Sequence, residues 1–593
     1  MSDFETPIDV LIIGAGPCGL AVAARLREPT PSALFTESEH QKFHFMKARQ
    51  TPSSSLNKNK PYRTSRRAHT SPDRLLYGHD VSHHSLSIAV LDAGSDTWMS
   101  SWNEKFADLN ISHLRSPMFF HPDPRDRDGL LEFAVREGRM DELRVIEGVV
   151  GKELSKYQRK KRGKDGKRPQ ETTYIDERDR HDYFRPSQAL FKDYCASIVA
   201  RYDLANLVQK AEVTSIAYSS TSSLFTLQTS TGIKKARIVV MAIGAAAKPS
   251  LPPDCPFCDL PQDESVTHVF SKSKNMNMNT PPTPTSPLLS PSLLFPTASP
   301  KTLAIIGGGL TSAQLCLLTS THPCITKTHL ILRKPLQTKH FDIDLSWLAK
   351  FKNHNMSAFW KADSDCERVE MMRVARGGGS VNPEFRGHLR RLEREGGVTV
   401  WEGWGVQGAK REGESWALDV KEVVDRKGNR LAGGEGKSEE IIVDHVIYAT
   451  GIVADINRVE AIKPLVDLYP IETVGGLPCL TKELMWNEEV PFFVTGRLGG
   501  LRLGPAAPNL EGARLGAEFI AGKIASLMAG LNRDLEEYMS EEVDMRRLGL
   551  GRQNQFEVLE LDERDEDGSD SGVELEVVLY DTTTLEGPKT SRG

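Results

Sequence analysis

Apolar residues in this chain gather into short, almost unbroken runs: 9–13 (DVLII), 33–36 (ALFT), 239–243 (VVMAI), 303–306 (LAII), 329–332 (HLIL), 446–449 (VIYA) and 492–494 (FFV). Runs of this length predict strands covered on both faces, the pattern of a parallel sheet between layers of helix. Two of them lead straight into a glycine cluster and then a helical period. The first continues as Gly14-Ala-Gly16-Pro-Cys-Gly19 and 20–26 (LAVAARL), the second as Gly307-Gly-Gly309-Leu-Thr-Ser312 and 313–318 (AQLCLL). The repeat of strand, glycine turn and helix predicts an α/β protein with two Rossmann-like lobes.

The stretches between these elements have a different composition. Residues 51–76 are rich in Ser, Pro and Arg, 152–168 form a basic run, and 271–300 are a Pro/Ser-rich segment of low complexity just ahead of the second glycine loop. They read as solvated loops and an inter-lobe linker. The expected division is a first lobe in 1–250, a linker in 251–300 and a second lobe in 301–440. A return to the first lobe is expected in 441–531 and an acidic, poorly ordered tail in 532–593, so the first lobe is discontinuous in sequence.

The chemistry of the loops follows from what glycine allows. Gly14 permits the tight turn, Gly16 lets the backbone approach a pyrophosphate, and Gly19 lets helix and strand pack closely, so that free N–H groups at the helix start face the phosphates. The run 33–36 ends at Glu37, whose carboxylate is placed to accept from a ribose, with Glu39 a weaker candidate. In the second loop Gly307 and Gly309 take the first two roles and Ser312 replaces the third glycine. The strand that follows ends in Arg333-Lys334 rather than an acid. A guanidinium grips a 2′-phosphate where a carboxylate repels it, so this site is expected to prefer NADPH to NADH. The runs ending at Gly244 and Gly451 suit returns to the first and second sheets, and 492–496 (FFVTG) leads into a helix around 512–524.

Composition narrows the class further. With 593 residues, 39% hydrophobic, 26% charged and a formal net charge of -5, the chain has ample core and no global attraction to nucleic acid. No apolar run is long enough to span a bilayer, and Met1-Ser2-Asp3-Phe4-Glu5 lacks the cationic start of a signal peptide, so a cytosolic enzyme with no membrane partner is expected. Eight cysteines are too sparse for a secreted disulfide framework, and only Cys255 and Cys258 stand at a redox spacing. No metal site is expected.

With these elements in order the chain resembles the flavin-dependent monooxygenases, most closely the N-hydroxylating branch of L-ornithine N5-monooxygenases and L-lysine N6-hydroxylases. It is also similar to uncharacterised fungal flavoproteins carrying 113–121 (HLRSPMFFH) and 475–480 (GGLPCL). The resemblance implies FAD on the first loop and NADPH on the second. NADPH would reduce the flavin, O2 would add to it as a C4a-hydroperoxide, and the distal oxygen would pass to a nucleophilic nitrogen of an ornithine- or lysine-like amine. The flavin carries that chemistry, and the protein must orient the partners and exclude water. Family position sets Trp98, Trp102 and 113–121 against the flavin ring, with Arg115, Ser116 and His121 as catalytic donors and Gly451 and Gly496 at the cofactor. The segment 183–187 (YFRPS) resembles the arginine-containing stretch that precedes a core helix in this class.

The chain departs from the ornithine hydroxylases at 339–344 (KHFDID) and 351–355 (FKNHN), which puts ornithine itself in doubt as substrate. Asp342 and Asp344 are candidates to pair with a cationic substrate, or they cap helices and meet solvent. Two other functions stay open. Cys255 and Cys258 would serve a disulfide reductase, although the low-complexity stretch after them suggests a surface loop. A flavoprotein-like regulator without turnover is the other, since fold does not dictate function.

Overall fold

The run around residue 10 forms strand β1 (Ile8–Ile13), whose last four residues are buried. The computed structural model describes residues 6–29, 86–149, 183–244, 249–252, 255–257, 265–270, 300–348, 352–424 and 436–531. The expected strand at 33–36, Glu37, Glu39, the basic stretches, Cys258, nearly all of 271–300 and the tail lie outside these residues.

The first lobe is built on a seven-stranded sheet in the order β5-β2-β1-β8-β7-β6, with β21 also on β8. The strands are β2 (Ile88–Asp92), β5 (Val208–Lys210), β6 (Val213–Ser219), β7 (Leu224–Thr229), β8 (Gly232–Met241) and β21 (Phe492–Val494). β1, β2, β5, the end of β8 and β21 are mutually parallel, while β6, β7 and the start of β8 form an antiparallel meander. The late strand β21 pairs Phe492–Val494 with Val239, Val240 and Met241, so this lobe is discontinuous in sequence as expected. A short pair, β3 (Leu143–Val145) with β4 (Phe184–Pro186), lies at its rim.

Helix α1 (Pro17–Arg27) is buried all round because other helices cover it, among them α4 (Gln188–Arg201) and α11 (Leu510–Leu531). Its one charged interior residue, Arg25, pairs with Glu518 at 2.9 Å and donates to Glu28 O at 2.7 Å, which an enclosed charge requires. Between α1 and α4 come α2 (Ser100–Asp108) and α3 (Gly129–Arg136). Ser187 caps α4 by accepting from Leu190 N, so 183–187 does precede a core helix.

The second lobe carries five parallel strands, β14-β11-β10-β18-β9: β9 (Val266–His268), β10 (Lys301–Ile306), β11 (Ile325–Leu332), β14 (Val398–Glu402) and β18 (His445–Tyr448). Helices α5 (Leu310–Ser320) and α8 (Pro383–Arg394) pack one face, and the meander β15 (Trp404–Glu412), β16 (Ser415–Glu422) and β17 (Ser438–Val443) packs the other. An excursion from the end of β11 holds β12 (Gln337–Thr338) paired with β13 (Ser380–Val381), α6 (Lys352–Trp360) and α7 (Asp365–Arg376). Its Phe341, Ile343 and Leu348 are buried in the first lobe's core. The return carries α9 (Lys463–Leu468), the pair β19 (Thr473–Val474) with β20 (Leu477–Pro478), and α10 (Gly500–Leu503).

The strands beside β1 are Ile88–Asp92 and β8, while the expected strand at 33–36 lies outside the described residues. Two expectations change. β9, inside the expected linker, is an edge strand of the second sheet, and β18 lies beyond the expected boundary at 440, so the chain recrosses near Gly451. There the two crossings run side by side, with Ser250 N donating to Gly451 O at 3.0 Å and Pro249 bridging Ile452. Among the described residues no helix is long and apolar enough to cross a membrane.

Candidate functional site

Both glycine loops lie at the carboxyl ends of parallel strands, where open α/β sheets place their ligands, and they are built alike. Gly14 has φ +109°, and a Cβ there would stand 2.6 Å from Ala242 O; Gly307 has φ +149°, and its Cβ would stand 2.4 Å from Ala449 O. Each first glycine therefore tucks beneath the residue just beyond a neighbouring strand, β8 or β18, and neither position accepts a side chain. Gly16 and Gly309 are the N-caps of α1 and α5, both extended, and a Cβ on either would meet nothing within 4 Å. Open space thus stands before each helix start, where unpaired N–H groups favour an anion. A Cβ on Gly19 would lie 2.0 Å from Gly14 O, which explains the third glycine. Ser312, at that place in the second loop, is 1% exposed and donates to Gly309 O at 2.6 Å.

The acid beside the first loop is Asp92, the last residue of β2. Its Oδ2 accepts from Ala15 N at 2.9 Å and its Oδ1 from Gly94 N at 2.9 Å, so the carboxylate is fixed against the turn. Asp92 thus stands at a strand end beside the first loop, while Glu37 lies outside the described residues. Gly496 follows β21 with φ +71°, and a Cβ there would meet Cys18 Sγ at 3.2 Å, on the first turn of α1. The adjacent Thr495 hydroxyl is buried and makes no hydrogen bond among the described residues. That hydroxyl lies against Gly516 of α11, where a Cβ would stand 2.5 Å from it. Gly451, with φ +86°, marks the recrossing.

At the second loop, Arg333 and Lys334 are exposed immediately beyond β11, the strand next to β10. Sequence reasoning missed Gly379, where a Cβ would stand 2.9 Å from Gly308 O and 3.0 Å from Gly309 N. The backbone at 379 therefore lies directly against the loop. The run of three glycines at 377–379 was its only sequence signal.

The expected catalytic donors fare differently. Arg115 gives every nitrogen to the second lobe: Nε to His340 O (3.1 Å), Nη1 to Ser380 O (3.2 Å), and Nη2 to Lys339 O and Phe341 O (both 2.7 Å). It is a clamp between the lobes rather than a donor held ready for a reacting oxygen, and burial pushes its pKa down to about 10. Ser116 beside it is half-buried. His121 is wholly enclosed in the first lobe, its Nε2 2.9 Å from Arg127 O and its ring edge-on to Tyr194. Burial, aided by Arg514, holds it near 4, so it is neutral at pH 7. Its neighbour Asp123 accepts from Tyr194 Oη (2.8 Å) and Arg201 Nη1 (2.6 Å), which makes the surroundings a buried polar network within the lobe. Trp98 donates to Leu204 O at 2.8 Å, and Trp102 stacks on Phe106 at 4.8 Å and tilts against Phe191 at 6.1 Å.

Asp342 accepts from Arg376 Nη2 (3.0 Å) and Asn509 Nδ2 (3.1 Å), and Asp344 pairs with Lys339 (2.7 Å). Both acids are engaged within the chain. Near them Arg497 makes one hydrogen bond, to Ile452 O at 2.8 Å beside the recrossing, and burial followed by Arg376 lowers its pKa. Cys255 does not belong to a surface loop. Its thiol donates to Tyr448 Oη at 3.2 Å inside the apolar core of the second lobe, with Ile306, Trp416 and Leu418. Cys258 lies outside the described residues.

Two glycine-cradled helix starts, each at the carboxyl ends of parallel strands in one of two interleaved sheets, define a two-lobed Rossmann-like α/β fold. The chain matches no protein-family model and no curated protein sequence. Solved structures share its fold over nearly their whole length. An ornithine N-hydroxylase from Kutzneria sp. 744, whose structure carries reduced FAD, NADP+ and L-ornithine, is 16% identical, with a TM-score of 0.55 over 88% of this chain and 100% of that one. A cadaverine monooxygenase from Erwinia amylovora, bound to FAD, is 14% identical, with a TM-score of 0.54 over 88% and 95%. An L-lysine 6-monooxygenase from Pseudomonas syringae is 16% identical, with a TM-score of 0.51 over 88% and 99%. The chain has the fold of these enzymes.

Proposed function

We propose that this chain is an FAD- and NADPH-dependent monooxygenase that hydroxylates a nucleophilic nitrogen of an ornithine- or lysine-like amine. The observation that carries the reading is the pair of open cradles at Gly16 and Gly309, each before a helix start and beside a strand end, in a fold shared with amine hydroxylases. Bound FAD, reduced by NADPH, would supply the activation of O2 and the transfer of one oxygen atom.

The chain's own residues bind, orient and exclude water. The N–H groups at the start of α1 hold the FAD pyrophosphate, and Asp92 accepts from its ribose. The start of α5 holds the NADPH pyrophosphate, while Arg333 and Lys334 take the 2′-phosphate. The Arg115 clamp ties the 113–121 loop to residues 339–341 and 380, which keeps the two lobes in a working arrangement. Trp102, packed on Phe106 and Phe191, together with Trp98 just ahead of α2, would shield the reacting centre from water. An amine must be neutral to attack, since an ammonium has no lone pair.

Purification with added FAD tests the binding half of this reading. The expected result is a yellow protein with one flavin per chain that NADPH bleaches without oxygen and NADH bleaches more slowly. A colourless protein, or a flavin that neither cofactor reduces, would overturn it.

A further inference from the structure

We propose that the chain carries a second, separate site for a small polyanion bearing phosphate or carboxylate groups, in a cavity of about 340 Å3 between the two lobes. His113, Arg144 and Arg185 line it from the first lobe, and Glu384, His388 and Arg391 of α8 from the second. The cavity is distinct from the dinucleotide crevice. It reaches α5 from Gln314 to Thr321, past the glycine loop and as far as the helix C-terminus.

Charge arithmetic identifies the ligand. Three guanidiniums face one carboxylate: Glu384 accepts from Arg185 Nη2 at 2.5 Å and lies 3.3 Å from Arg144 Nη1, and although burial pushes its pKa up, these cations outweigh it and leave the pKa below the ordinary value. Glu384 sits in the first turn of α8, where the helix start also favours its charge. It therefore stays ionised and neutralises one guanidinium, and Glu395 offsets part of a second, which leaves between one and two positive charges at the cavity. Arg391 has only Glu395, at 3.9 Å, and is half exposed. Arg185, nine-tenths buried, is the guanidinium that Glu384 holds most closely, so the excess lies on Arg144 and Arg391, both about half exposed at the cavity, where an anion is held in a salt-screened setting. The volume suits a molecule the size of pyrophosphate, a phosphorylated sugar or a tricarboxylate.

Placement gives the site a consequence. The Glu384 ion pairs to Arg144 and Arg185 already cross between the lobes, and an anion bridging those arginines to Arg391 and His388 would add a second tie. A ligand that binds only the joined arrangement stabilises it by mass action, so occupancy would stiffen the pair of lobes around the crevice.

The test is calorimetric titration of the FAD-loaded full chain with pyrophosphate and with citrate, under saturating NADP+, in the wild type, Arg391→Ala and Arg333→Ala. Arg391 is exposed with one distant partner, so its removal leaves the fold intact. Saturable binding of at least one probe is expected, weakened about tenfold by Arg391→Ala, unchanged by Arg333→Ala and weakened by added salt. Preference for pyrophosphate or for citrate assigns phosphate or carboxylate. Absence of saturable binding, binding insensitive to Arg391→Ala, or binding lost in Arg333→Ala instead would overturn the site.

Discussion

Gly16→Val and Gly19→Ala form the sharpest pair of perturbations, because the two glycines share one loop and have different neighbours. A Cβ on Gly16 has no atom within 4 Å, and its φ of -82° is open to any residue. The fold should lose only the modest stability of a poorer N-cap, about 1 kcal/mol. The new side chain would, however, fill the space before the first turn of α1. Losing two charge-assisted N–H contacts to a pyrophosphate, at about 1.5–3 kcal/mol each, amounts to about 3–6 kcal/mol, or roughly a hundredfold to ten-thousandfold in FAD affinity. At Gly19 the Cβ would lie 2.0 Å from Gly14 O. Backbone stands on both sides, so α1 must back away from β1, at a cost of at least about 1–3 kcal/mol whether or not flavin is present. Scanning calorimetry of the apoproteins, with FAD titration by fluorescence quenching, separates the two. Gly16→Val should melt near wild type and bind flavin at least about a hundredfold more weakly, whereas Gly19→Ala should melt lower as apoprotein. Wild-type flavin affinity in folded Gly16→Val, or wild-type melting of Gly19→Ala, would refute this division of roles.

Arg333→Ala should weaken NADPH by about tenfold and leave NADH almost unchanged; equal loss for both cofactors in steady-state kinetics would remove the 2′-phosphate role. Gly379→Ala should abolish reduction by NADPH while flavin content stays at wild type, since the clash is with Gly308 and Gly309 and not with the first lobe. A Cys255→Ser, Cys258→Ser double variant should keep NADPH oxidation and any oxygenated product, because electrons bound for O2 never visit those thiols; NADPH-dependent disulfide reduction in the wild type that the variant lacks would reverse the assignment. His121 has its pKa depressed from the ordinary 6.5 to about 4 in the folded chain. Its contribution is therefore present above pH 6.5 and lost as pH falls toward 4, on the order of 3 kcal/mol in total. Thermal melts across that window should show a shallower loss in His121→Gln than in wild type, and parallel curves would contradict it.

The glycine loops, the discontinuous first lobe and the strand returns were legible because each is written in contiguous residues: a buried run, a turn that only glycine makes, a helical period. What failed was non-local. Residues 30–85 separate α1 from β2, and the run at 33–36 offered an acid at a plausible distance, so Asp92 was passed over although 88–92 is as apolar a strand as any in the chain. β9 lies between Pro-rich stretches and has three residues, too few for a periodic signal. Arg115 reads as a polar donor near a cofactor, and only the fold reveals the carbonyls more than 200 positions away that occupy it. His121 and Cys255 look exposed and reactive by residue type, yet burial makes one a neutral ring and the other a core thiol.

The most direct test of monooxygenation is to reduce the FAD-loaded protein with NADPH in the absence of oxygen, then mix it with oxygen and L-ornithine, L-lysine or a diamine. The products are followed by mass spectrometry using isotopically labelled O2. The predicted result is an amine product carrying one oxygen atom from O2, formed in proportion to the NADPH consumed. An unmodified amine with all reducing equivalents recovered as thiols, or a protein that binds no flavin at all, would contradict it.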